Sequence, residues 1–190
     1  MERKKIIVAI TGASGAELGL YVLKALQLQD VEIHLILSEG AKRVIQAETI
    51  FTPEDFLALS DFHYPDTDLG ARIASGSYKT DGMIVVPCSM KTLSGIANAY
   101  DENLIIRAAD VCIKENRRVV LVPREMPLNR AHLRNMLTVA EDGGVILPPP
   151  EGLPFALQAF APAGSRRPGA PDAGRALVCQ TPGSRKKAHW

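Results

Sequence analysis

Side chains able to grip a phosphate or move a proton occur in this 190-residue sequence in four short clusters. Thr11-Gly12-Ala13-Ser14-Gly15 is a turn of small residues with a hydroxyl at Ser14. Ser38 stands alone between an apolar run and a helical pattern. Ser89-Met90-Lys91-Thr92 combines two hydroxyls with an ammonium group, and Arg124-Glu125 lies in a loop stiffened by Pro123 and Pro127. A small-residue turn that opens a helix points backbone N–H groups at one spot under a positive dipole end, which suits an anion. Arginine is the residue that holds phosphate bidentately. Plain readings stand beside these: a turn that only joins a strand to a helix, and Ser89 as a favoured helix cap. Gly12, Gly15 and Gly19 give GxxGxxxG rather than GxGxxG, so a nicotinamide reading is weak. Arg107, Asp110 and Lys114 fall at i, i+3 and i+7 on one helix face, and spacing alone favours a solvated salt-bridge ladder. Glu48 by itself says nothing. Cys88 reads as a small buried apolar residue, since no histidine neighbours it. The four histidines have no metal-ligand spacing, so no metal site is expected.

The elements that must position these groups alternate in type. Residues 6–10 (IIVAI), 31–37 (VEIHLIL), 82–87 (GMIVVP), 118–122 (RVVLV) and 145–147 read as buried strands. Helical patterns cover 16–28, 39–49, 53–60, about 90–99, 103–116 and 128–141, with Thr52 and Pro53 starting the third and Gly143-Gly144 closing the last. Residues 61–78 are polar and irregular, and surface loops are expected there. The pattern predicts a three-layer α/β domain, a flavodoxin-like or Rossmann-like parallel sheet with helices on both faces. Such sheets bind ligands outside the carboxyl ends of their strands. All four clusters follow strands, which together describe a pocket for a flat, phosphorylated cofactor.

Composition narrows the partners. Net charge is +1, which offers no argument for a nucleic-acid or membrane partner. Cys88, Cys112 and Cys179 are scattered and odd in number, as in a reducing compartment. No leader is expected before the first strand and no apolar run approaches membrane-spanning length, so a cytoplasmic protein is expected.

Read together, TGASGA, the Ser38 strand end, AET at Ala47-Glu48-Thr49, SGSYKTDGMIVVPCSMKTLSGIA, RAADVCIKE and LVPREMPL resemble the UbiX/Pad flavin prenyltransferase family over residues 4–149. The CSMKTLSG and VPREMPL blocks are the most specific. The resemblance implies a flavodoxin-like fold that binds FMN and forms a homo-oligomer, a dodecamer built of trimers. It implies metal-independent transfer of a dimethylallyl group from dimethylallyl phosphate to N5 and C6 of reduced FMN. The product would serve a UbiD-type decarboxylase in quinone synthesis or phenolic-acid breakdown. By motif, Gly12, Ala13, Ser14, Ser38, Ser89, Met90, Lys91, Thr92 and Arg124 would contact FMN. Ser14 and Glu48 would handle the C6 proton, with Glu48 reaching into a neighbouring subunit's site. Arg107, Lys114, Arg124 and Glu125 would line the prenyl-phosphate pocket, with Lys114 and Glu125 counted among the catalytic groups. Two alternatives stand beside this: an FMN-binding assembly subunit without turnover, and an FMN-dependent decarboxylase of the cysteine-decarboxylase type.

Beyond residue 147 the pattern changes. Residues 148–190 hold 8 of the 13 prolines and 5 of the 15 glycines, and they carry 6 Lys+Arg against 2 Asp+Glu. No Tyr follows Tyr100, so the family's prenyl-phosphate Tyr and Arg have no counterpart. Residues 1–149 are therefore expected to form the flavoprotein domain. Residues 150–190 are expected to form an atypical tail, disordered or the product of a shifted reading frame.

Overall fold

The fold, a computed structural model, describes residues 3–148. The expectations for residues 150–190 lie outside the described residues. Six strands, β1 (Lys4–Ile10), β2 (Val31–Leu37), β3 (Phe62–Pro65), β4 (Gly82–Cys88), β5 (Arg118–Pro123) and β6 (Val145–Ile146), form one parallel sheet. Six helices accompany them: α1 (Ala16–Gln27), α2 (Glu39–Glu48), α3 (Pro53–Leu57), α4 (Met90–Ala97), α5 (Leu104–Lys114) and α6 (Arg130–Glu141). Four starts are capped as their sequences require. Ser38, Ser89, Asn103 and Asn129 each accept a backbone N–H three residues on. Gly143, at φ 90°, ends α6 in the left-handed region that favours glycine.

The strand order is β3-β2-β1-β4-β5-β6. Without the four-residue edge strand β3 the order is that of flavodoxin; with it, the order is the Rossmann one. Alternation along each strand divides the core. Val8, Ile10, Ile33, Leu35 and Leu37 pack against Ala16, Leu20 and Leu23 of α1, Ala41 and Ile45 of α2, and Phe56 of α3. Ile7, Ala9, Met83, Val85, Val119 and Leu121 face Leu93 and Ile96 of α4, Leu104, Ile105 and Ala108 of α5, and Val139 of α6. Apolar residues on both faces of the central strands are what a helix-covered parallel sheet requires. Among the described residues no helix is long and apolar enough to cross a membrane.

Residues 61–78 depart from the expected surface loop. They supply β3 and a single 3-10 turn at Arg72–Ala74, which buries Ala71, Ile73 and Ala74. The anchor of this segment is His34, fully buried on β2. Its Nε2–H donates to Glu32 Oε1 at 2.8 Å, and its Nδ1 accepts from the Tyr64 hydroxyl at 3.0 Å. Its ring stacks on Phe62 at 5.1 Å, and Arg72 lies over the Phe62 ring at 4.8 Å. The aromatic side chains of this polar-looking stretch thus close the sheet edge. Pro65 ends the short strand, as is usual at an edge.

Burial lowers the His34 pKa below its ordinary 6.5, with the Glu32 carboxylate pulling the other way. As pH falls the unfolded chain takes up the proton first. Stability is therefore complete above about pH 6.5 and is lost on acidification through the lower, folded-state value. Denaturant midpoints are expected to fall between about pH 7.5 and 5.5 in the wild type. The non-titrating His34→Gln variant is expected to lose that slope; an equal slope in both would show that His34 is not its source.

Candidate active site at the carboxyl ends of the central strands

β1 and β4 are neighbours in the sheet but not in the chain, because the connections after them run to opposite sides. Their carboxyl ends therefore diverge, and a cleft of ≈ 270 Å³ opens there, lined by Gly12, Ala13, Ser14, Ser89, Met90, Arg124, Glu125 and Met126. Thr11 closes the floor: its hydroxyl donates to the Pro87 carbonyl at 2.8 Å and accepts the Ser89 N–H at 2.7 Å.

One wall is the β1–α1 turn, and close packing explains its glycines. A Cβ on Gly12 would lie 3.0 Å from the Gly40 Cα, so the turn rests directly on the start of α2. One on Gly19 would meet the Val86 carbonyl at 2.9 Å, so α1 lies tight on the sheet. Gly15 has φ 92°. The backbone N–H groups of Gly12, Ala13 and Ser14 donate to no group among the described residues. The Gly15 N–H does not share that freedom; it donates to Glu48 Oε2 at 2.9 Å. Glu48 Oε1 accepts a short hydrogen bond from the Ser14 hydroxyl. The start of α1, read from sequence as an open anion site, thus holds a carboxylate of its own chain. Within its own chain α2 ends beside α1, and the Glu48 side chain is taken up by Ser14 and Gly15.

The opposite wall comes from β4 and β5. Ser89 caps α4, its hydroxyl accepting the Thr92 N–H at 3.3 Å and donating to Thr92 Oγ1 at 3.1 Å. Thr92 is buried beneath it and does not line the cleft. Lys91 turns to the surface and pairs with Glu102 at 3.1 Å. Ser38 caps α2 outside the cleft lining. Arg124 lines the cleft, and its guanidinium has no hydrogen-bond or ion-pair partner among the described residues. Glu125 accepts the Met126 N–H at 3.0 Å. Burial pushes the Cys88 thiol up to about 12, so it is no nucleophile at neutral pH.

Two expected phosphate cations stand elsewhere in the chain. Arg107, on the first turns of α5, donates to Asp101 at 2.9 Å, Asp110 at 3.1 Å and the Ala74 carbonyl at 3.2 Å. Its charge is met by two carboxylates, so the ladder suggested by spacing is real between Arg107 and Asp110. Lys114 does not join it and pairs instead with Glu115 at 3.1 Å. The cause is helix direction: α5 leads into β5, which puts its last turn at the amino ends of the strands, across the sheet from the cleft. Met126 in the lining had no sequence signal of its own beyond lying in the VPREMPL block.

Unpartnered amides, a serine-capped helix start and an unpaired guanidinium around one switch point define a doubly wound protein that accepts an anionic cofactor. Residues 1–161 match the family described as Flavoprotein. A probable UbiX-like flavin prenyltransferase of Sedimentibacter hydroxybenzoicus is 58% identical over 146 residues, covering 76% of this chain and 77% of the relative. The solved structure of AnUbiX (PadA1) with FMN and dimethylallyl pyrophosphate superposes with a TM-score of 0.77 at 51% identity, over 77% of this chain and 78% of that one. A dodecameric FMN-dependent UbiX-like decarboxylase from Escherichia coli O157:H7 does so with 0.75 at 52% identity, over 76% and 79%. The chain belongs to the UbiX-like flavin prenyltransferase family of flavoproteins.

Ser14 is exposed, and among the described residues its hydroxyl hydrogen-bonds to Glu48 alone. Ser14→Ala is expected to change stability by no more than about 0.5 kcal/mol while slowing flavin turnover about tenfold or more. Melting curves beside single-turnover rates check this; a parallel loss of both would make Ser14 a structural residue.

Proposed function

We propose that the protein transfers a dimethylallyl group from dimethylallyl phosphate to reduced FMN, forming bonds at N5 and C6 and releasing inorganic phosphate. The observation that carries the reading is that Arg124, its guanidinium unpartnered, and Gly12, Ala13 and Ser14, their amides free among the described residues, line one cleft. That donor set fits a phosphate-bearing flavin. Gly12, Ala13, Ser14, Ser89 and Met90 would hold it, with Ser38, Lys91 and Thr92 bracing the helix starts. FMN, when bound in reduced form, supplies the electron-rich ring that accepts the prenyl group.

The chain's own residues do the rest. Arg124 places fixed positive charge against the leaving phosphate, which favours departure of an allylic group. Glu125 beside it is placed to exchange a proton with that phosphate. The Ser14 hydroxyl, already donating to Glu48, gives a proton at the cleft wall a path to a carboxylate. Arg107 and Lys114 enter the prenyl-phosphate pocket in this reading only as residues of another copy, since each is engaged away from the cleft of its own chain. A cleft of ≈ 270 Å³ also falls below the roughly 300–1,000 Å³ of most small-molecule sites, which supports walls supplied by a homo-oligomer. Leu133 and Leu137, 53% and 59% exposed on α6, offer apolar surface for such contacts. The reading places residues 1–149 as the catalytic unit of a cytoplasmic protein whose product passes to a UbiD-type decarboxylase.

Anaerobic incubation with reduced FMN and dimethylallyl phosphate, followed by mass spectrometry of the released flavin, tests it. A gain of one C5 prenyl unit is expected. Bound but unmodified flavin would favour a non-catalytic FMN-binding subunit, and absence of bound flavin would overturn the site itself.

A further inference from the structure

The β1–β4 ladder pairs Ile6, Ile7, Val8 and Ala9 with Gly82, Met83, Ile84 and Val85, and it stops there. Two residues on, β4 carries Pro87, which has a carbonyl but no N–H to return to β1. The ladder therefore reaches the cleft short of the return bond that would complete the join between the two strand ends. Thr11, 1% exposed, takes over that task. Its N–H and its hydroxyl both donate to the Pro87 carbonyl, at 3.2 and 2.8 Å, and its Oγ1 accepts the Ser89 N–H at 2.7 Å. The side chain acts as donor and acceptor at once, as a peptide group would have done.

Thr11 precedes Gly12, the first residue of one cleft wall, and binds Ser89, the first residue of the other. The chain of bonds continues, since Ser89 passes its own hydroxyl to Thr92 and so fixes the start of α4. The Ser89 N–H is consumed inside the protein and is not offered to a ligand. We propose that Thr11 is a positioning residue for the flavin site: its buried hydroxyl sets the distance between the Gly12-Ala13-Ser14 wall and the Ser89-Met90 wall, and with it the affinity for FMN. The inference rests on the reading of the cleft as an FMN site.

Thr11→Val keeps the shape and removes both hydrogen bonds of the hydroxyl, leaving the half-buried Ser89 N–H without its partner. Titration with FMN, far below the melting temperature, is expected to give a Kd about tenfold or more above wild type. Thr11→Ser, which keeps the hydroxyl, is expected to stay within about threefold. Val139→Ala, a core truncation on α6, serves as the control: it is expected to lower the melting temperature and leave the FMN affinity unchanged. Thr11→Val binding FMN like wild type, or Thr11→Ser weakened as much as Thr11→Val, would overturn the proposal. Hydrogen exchange on the flavin-free wild type gives an independent test that needs no variant. The Ser89 amide is expected to be protected before FMN is added. Free exchange that becomes slow only on FMN binding would assign that amide to the ligand and overturn the proposal even if Thr11→Val does not fold. Wild type that binds no FMN would remove the proposal together with the site reading, and Ser89 protection would then separate a sound clasp from a wrong ligand.

Discussion

Parallel strands that turn away from each other leave backbone groups with no strand to pair with, and everything chemical in this protein is built on that vacancy. The β1–α1 turn, the start of α4 and the loop after β5 all occupy the rim where β1 and β4 separate. A helix start brings unpaired N–H groups and a positive dipole end to the same rim. The apolar residues on both faces of these strands hold that rim in place.

The helix starts at the rim are used in different ways. Glu48 supplies an internal carboxylate to α1, so the Ser14 hydroxyl is oriented before any ligand arrives. Ser38 supplies a cap to α2, which the Gly12–Gly40 approach presses against the turn. At α4 the Ser89 hydroxyl takes the Thr92 N–H, and Thr11 takes that of Ser89 itself. The negative charge of the site is thus built in on one side, and the unanswered positive charge lies on the other with Arg124.

Much of this was legible in the sequence because the relevant residues sit at ends of apolar runs. The strand at 31–37 has the bounds its hydropathy gave, and Gly12, Ser14, Ser89 and Arg124 converge because each follows a strand of one parallel sheet. The segment 61–78 was not legible, since its burial comes from scattered residues: Phe62 and Tyr64 meeting His34, and Ala71, Ile73 and Ala74 meeting the core. Period-two alternation over four residues, ended by Pro65, is too short to separate a strand from a loop. Arg107 and Lys114 share a helix face in sequence, yet helix direction sends one toward the strand ends and the other away. Thr11 reads in sequence only as part of a turn, because a hydroxyl that accepts the Ser89 N–H where Pro87 can return no bond is visible only once Pro87 is known to lie opposite.

The edge formed by β6 bears on how far one chain is sufficient. β6 pairs through two residues, and the Leu147 N–H adds one more bond to the Leu121 carbonyl at 2.8 Å. α6 buries only Val139 along its twelve residues, although His132 and Asn129 give it a reciprocal cap. A helix of that length draws most of its stability from a buried face. Leu133 and Leu137, four residues apart, form the apolar stripe that such a face needs, and they lie uncovered among the described residues. Met126, 64% exposed in the cleft lining, belongs to the loop that leads into this helix. Cover over α6 would therefore restrain that loop as well, which links the completeness of the Arg124 wall to whatever packs on the stripe.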